Sequence, residues 1–133
     1  MERLRRYSPW FYAAAAYNAV WGVVVGLWPN ALFDLLHMPR PQPAALFQCV
    51  GMMVGVYAYG YWLVARDPER FGAFAYIGLA GKILGPLGFL FAAINGELPW
   101  SFGWINVTND LIWLPAFIGF AIQFYRLDRK TKS

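Results

Sequence analysis

Charge is scarce in this chain. Lys, Arg, Asp and Glu make up 14% of its 133 residues, against about a quarter in ordinary soluble domains. The apolar share is 59%, and a soluble domain this short has too much surface per unit volume to bury it. That excludes a water-covered globule and leaves lipid as the solvent for most side chains. Cysteine is almost missing too. Cys49 stands alone inside an apolar run, which excludes an internal disulfide framework and any thiolate metal cluster. We read it as a buried apolar thiol. Histidine occurs once, and the acidic residues have no metal-ligand spacing, so no metal site is expected. Phosphate-loop, dinucleotide and nucleophile-elbow motifs are absent, and no catalytic residue or cofactor can be named.

What the chain has in quantity is apolar runs and aromatic residues, the latter 20% of the sequence. Four runs each reach the roughly 20 residues that cross about 30 Å of hydrocarbon. They define an all-α, polytopic membrane protein: an antiparallel bundle of four transmembrane helices at about 9–28, 44–65, 71–94 and 102–125. Residues 1–133 are expected to form this one domain. The opening MERLRR before an apolar run also suits a signal peptide. The run is longer than a signal core and three more spans follow, so a retained first helix is expected.

The net charge of +4 is a topology signal rather than a nucleic-acid footprint. Arg3, Arg5, Arg6, Arg66, Arg70, Arg126, Arg129, Lys130 and Lys132 fall on one side of the spans, and Arg40 alone on the other. Cytoplasmic loops carry the excess of Lys and Arg, which predicts both termini on the cytoplasmic side. The outer link PNALFDLLHMPRPQP predicts a short interfacial helix at about 31–38, capped by Asn30, with Asp34 and His37 on one face. In the second outer link, NGELPWS, Glu97 and Trp100 read as a solvated turn and an interfacial anchor.

Small residues recur at four-residue spacing in Gly22 and Gly26, Gly51 and Gly55, and Gly81 and Gly85. Such pairs let membrane helices approach closely, either within the bundle or against a second copy. Gly85-Pro86 loosens the third helix, because proline offers no donor to the ladder.

The polar residues within the spans are the candidates for function. Lys82 lies near the middle of the third helix and Asp110 in the fourth, with Asn106 and Asn109 beside it; Asn18 and Gln48 belong to the first and second. A charge at the bilayer centre costs about 2.5–3.5 kcal/mol on insertion scales, and such residues mark functional sites by default. At roughly 1.5 Å per residue, Lys82 lies about 16 Å and Asp110 about 22 Å from the inner ends of their helices. The gap is within a lysine's reach, and an ion pair is expected, although Cβ atoms leaning toward each helix's N-terminus tip the two apart. Asn106, Asn109, Asp110 and Trp113 share a helical face. With Gln48 they suggest a polar column descending to Lys82, with Glu97, Asp34 and His37 at its mouth. The sequon Asn106-Val107-Thr108 lies inside a span, out of reach of glycosylation.

The run WGVVVGLWPNALFDLLHMPRPQPAALFQCVGMMVGVYAYGYWLVARDPERF resembles small bacterial four-helix membrane proteins of the DoxX-like group. Their first half has a Gly-rich helix, a Pro-containing outer link and a Gly-rich second helix ending in a basic loop. The run GLAGKILGPLGFLFAAINGELPWSFGWINVTNDLIW looks like a branch of such proteins without assigned activity. The resemblance implies a bacterial inner-membrane location and transfers no catalytic residue.

Three functions stay open on the sequence. In the first, Lys82, Asp110, Asn109, Asn106, Gln48 and Asn18 bind or pass a small anionic or lipid-like ligand. In the second, the polar groups are interhelical locks in a structural subunit of a larger membrane complex or a homo-oligomer. In the third, the protein is an enzyme acting on a lipid or quinone-like substrate, with Lys82 or Asp110 moving a proton.

Overall fold

The computed structural model describes residues 2–132, and every regular element among them is helical. Four helical stretches are long and apolar enough to cross a membrane: Glu2–Leu27, Ala44–Arg66, Phe74–Ile94 and Trp100–Lys132. They are called the first to fourth spans below, and they make this an integral membrane protein in a lipid bilayer.

Local chemistry sets the helix ends. Proline opens the helix Ser8–Leu27 at its first turn, where a missing N–H is no loss. Asp67 caps Pro68–Phe71, its carboxylate accepting from the backbone N–H of Arg70 at 3.2 Å. Gly96, at φ 76°, ends the third span. The N–H of Gly96 bonds to the Ala93 carbonyl at 3.1 Å and that of Glu97 to the Ala92 carbonyl at 2.8 Å. Those paired bonds close a helix on a left-handed residue.

The link between the first two spans repeats that ending with a histidine. The interfacial helix runs Ala31–Leu35, shorter than expected, because His37 turns left-handed at φ 54°. The N–H groups of His37 and Met38 then reach Asp34 and Phe33 carbonyls at 3.2 and 2.8 Å. Asp34 therefore shares no helical face with His37. It takes a two-pronged ion pair from Arg40, with both contacts at 3.0 Å, and the guanidinium holds the Asp34 carboxyl below the usual carboxylate range. Asn30 makes no side-chain cap, and its Oδ1 is buried without a hydrogen-bond partner. A left-handed non-glycine residue costs about 1 kcal/mol. His37→Gly is thus expected to raise stability by up to about 1 kcal/mol, read as a higher unfolding midpoint in detergent.

The first and second spans pack most closely, through glycine. A Cβ placed on Gly22 would lie 2.8 Å from the Gly55 Cα and 2.9 Å from the Gly51 carbonyl oxygen, and one on Gly51 would lie 2.8 Å from the Val25 Cβ. Gly26 and Gly81 meet nothing within 4 Å at that position. The four-residue spacing therefore mixes two uses, helix contact and open space.

The apolar core gathers at the end of the bundle that carries Arg66 and Arg126. Leu4, Phe11, Tyr61, Val64, Phe117 and Phe120 are all but inaccessible there. Phe11 stacks on Phe117 with ring centroids 4.5 Å apart, and Tyr61 meets Phe117 edge-on at 5.1 Å. Cys49 is exposed on the surface, not buried as expected, since the second span turns that side away from its neighbours.

The fourth span is not one regular helix. Gly103–Asn106 is α-helical, Val107–Leu111 is a π-turn, and the helix resumes at Leu114–Lys132. Pro115 explains part of this, because it has no N–H for the Leu111 carbonyl four residues earlier. In the π-turn the Ile112 N–H reaches back five residues to Val107 at 3.1 Å, while the Trp113 N–H bonds to Asp110 at 3.1 Å. The carbonyls of Thr108 and Asn109 are left to other donors. Irregular backbone at membrane depth is tolerated where it is buried in protein or lines a cavity.

Candidate functional site

Those two carbonyls organise the polar centre of the bundle. The Trp113 indole N–H donates to the Thr108 carbonyl at 2.9 Å. The Lys82 ammonium donates to the Asn109 carbonyl at 2.7 Å. Lys82 is 4% exposed, with its Nζ 5.4 Å from the centroid of the Tyr61 ring and 5.2 Å from that of Phe117. Ring faces attract a cation, by about 2 kcal/mol when it is desolvated. One backbone carbonyl and two rings thus replace much of the water that the ammonium has lost.

Asp110 is not its direct partner. Lys82 and Asp110 form no ion pair, which corrects the expectation from depth and reach. The π-turn supplies Lys82 with a nearer acceptor, and the Asp110 carboxylate lies against the third span at Gly85. A Cβ there would be 2.7 Å from Asp110 Oδ2. Gly85 makes room for a carboxylate, then, rather than for a helix backbone.

Beside Lys82 lies a half-open cavity of about 290 Å³, at the small end of ligand pockets. Asn18, Val54, Tyr57, Tyr61, Lys82, Asn109 and Asp110 line it, with Val50, Met53, Gly78 and Gly81. The walls are mainly apolar and aromatic, with Lys82, Asp110, Asn18 and Asn109 as the polar groups that converge on it. Asn18 is buried, its amide donating to the Val54 carbonyl at 3.3 Å. The Tyr17 hydroxyl donates to Asn109 Oδ1 and lies 2.9 Å from Thr108 Oγ1. The first span thereby fixes the π-turn that holds Lys82.

Of the six residues singled out by sequence, four line this cavity: Lys82, Asp110, Asn109 and Asn18. Gln48 and Asn106 do not. Gln48 donates to the Gly26 carbonyl at 2.9 Å and ties the first span to the second. Asn106 is buried elsewhere in the fourth span, because the π-turn breaks the regular spacing that put it on the face of Asn109 and Asp110. Glu97 and His37 border a separate cleft with Trp100, and Asp34 borders a third hollow near Trp28. Among the described residues, those two hollows share no lining residue with the Lys82 cavity.

Sequence reasoning missed Tyr57, Tyr61, Tyr17 and Phe117. Tyr57 and Tyr61 are one helical turn apart, and Gly78 faces them: a Cβ there would be 2.6 Å from Tyr61 Cε1. The four-residue tyrosine pair opposite a glycine helix was a usable signal.

Fold and site together define a four-span helical membrane protein with a lysine-bearing cavity inside the bundle. No known protein family matches the chain, and no solved structure matches it. It is similar to protoheme IX farnesyltransferase 1 of Picrophilus torridus, at 30% identity over 106 residues. That stretch is 80% of this chain and 28% of the relative's length.

Proposed function

We propose that this protein is a membrane-embedded binding protein, a single four-helix domain whose cavity takes a small anionic or lipid-like ligand at Lys82. The observation that carries this reading is an ammonium buried beside an open cavity with no carboxylate bonded to it. An interhelical lock would pair Lys82 and Asp110 directly and leave no room between them. Asp110 lines the same cavity, and the amides of Asn18 and Asn109 orient the ligand. The aromatic core closes the cavity toward the basic end, which favours binding over passage. Lys and Arg placement, together with the DoxX-like pattern, supports a bacterial inner membrane with both termini cytoplasmic.

The test uses butyrate as a water-soluble carboxylate probe on purified protein in detergent. A ligand that binds only the folded state at a hundred times its Kd stabilises it by about 2.7 kcal/mol. The unfolding midpoint of the wild type should rise with butyrate concentration, and that of Lys82→Met should not. Equal rises in both would overturn the reading.

A second reading is an enzyme acting on a lipid-like substrate. The similarity to a protein named as a farnesyltransferase favours it, since that name implies a prenyl substrate. It requires turnover that titrates with Lys82 or Asp110 and disappears when either is replaced.

A further inference from the structure

Resting on the reading above, we infer that the cavity opens sideways into the bilayer between the second and third spans, and that its ligand is a single-chain carboxylic amphiphile entering from the lipid. The head would meet Lys82 and the chain would lie along the opening.

Three features locate the opening. Toward the basic end, Tyr61 lines the cavity, and the packed rings of Phe117, Phe11 and Phe120 lie behind it. Toward the first span, Gly22 packs on Gly55 and Gly51 on Val25. The exposed residues of the lining are Val50 and Met53 of the second span and Gly81 of the third. Val50 is 46% and Met53 63% exposed, and Gly81 is exposed with nothing within 4 Å of its Cβ position.

These rim residues lie deep within their spans. At about 1.5 Å per residue, Val50 and Met53 are roughly 9 and 14 Å from the start of the second span, and Gly81 roughly 10 Å from the start of the third. In a hydrocarbon layer of about 30 Å, the opening faces acyl chains and not water. A ligand arriving there must itself be soluble in lipid.

The polar end of the cavity selects the head group. Among the described residues, Lys82 is the one cation that lines it, and Asp110 shares the space. A carboxylate carries a single charge that one ammonium can balance. Asp110 repels any anionic head, but a dianionic phosphate about twice as strongly as a carboxylate, and the phosphate would also need a second cation. The lining around the opening, Val50, Met53, Val54 and Gly81, offers an alkyl chain only apolar contact.

The experiment uses the full chain in phosphatidylcholine vesicles with a palmitate that carries a photoreactive diazirine near the end of its chain. Wild type, Lys82→Met and Gly81→Leu are labelled, digested and mapped, with and without excess butyrate. The expected result is labelling at residues 50–54 and 77–81 that falls at least tenfold in Lys82→Met and in Gly81→Leu, and that butyrate suppresses. Labelling of the same residues undiminished in Lys82→Met would show plain lipid contact and overturn the inference. If butyrate stabilises the wild type through Lys82 but palmitate leaves the rim unlabelled, lateral entry is overturned and the binding site stands. If butyrate stabilises neither protein, the binding reading fails and the inference with it. The far-ultraviolet helical signal and elution volume of both variants establish that they fold; if Gly81→Leu misfolds, Met53→Trp narrows the same opening from the second span.

Discussion

Lys82→Met is expected to weaken butyrate binding by about 30-fold or more while leaving the protein folded. Removing one partner of a buried, hydrogen-bonded charge pair costs about 2–5 kcal/mol, and each 1.4 kcal/mol is about tenfold in affinity. The fold should survive because two stability effects oppose each other. The Asn109 carbonyl loses the Lys82 donor it holds at 2.7 Å, and an unsatisfied buried acceptor costs about 1–3 kcal/mol. Against that, a cation leaves the low-dielectric interior, recovering a term of similar size. Methionine keeps the apolar stem that packs between Tyr61 and Phe117. A direct Lys82–Asp110 lock would behave differently, since stranding a carboxylate destabilises by about 3–5 kcal/mol. Unfolding midpoints and butyrate isotherms measured on the same preparations separate the two accounts.

Gly22→Val should be the most damaging single change outside the site. Its Cβ would meet the Gly55 Cα at 2.8 Å and the Gly51 carbonyl oxygen at 2.9 Å. Both are backbone atoms, so no side chain can rotate away and the first two spans must separate. Overpacking of this kind costs about 1–3 kcal/mol, occasionally more, and without hydrophobic drive between helices close packing is most of what joins them. Gly26→Ala is the matched control. It lies one turn along the same helix, meets nothing within 4 Å, and should change stability by no more than about 0.5 kcal/mol. Denaturant unfolding in micelles reads both; equal effects at the two positions would remove the distinction between contact glycines and open ones.

The contrast between those two glycines shows where sequence reading ran out. The spans were legible because a helix in lipid needs about 20 apolar residues, and little else produces such runs. Lys82 and Asp110 stood out for the converse reason: charge there has to be explained. Helix rotation was harder, since every side of a membrane span is apolar and no amphipathic stripe marks the inner face. Gly22 and Gly26 therefore looked equivalent, and Gln48 looked like part of the site when it bonds to Gly26. The π-turn hid most. One residue inserted into the fourth span moved Asn106 off the face of Asp110 and freed the Asn109 carbonyl that holds Lys82. Pro115 was its only mark in the sequence. The short link helix ended early at His37, a residue that carried no glycine-like signal for a left-handed turn.

The central claim is that the Lys82 ammonium meets its ligand directly. The chain has only three lysines, Lys82, Lys130 and Lys132, so a nitrogen-15 NMR spectrum of lysine-labelled protein is simple to read. The Lys82 side-chain resonance is identified by its loss in Lys82→Met. Added butyrate is predicted to shift that resonance progressively to saturation and to leave Lys130 and Lys132 where they were. A Lys82 resonance that does not respond while butyrate binds would contradict the account.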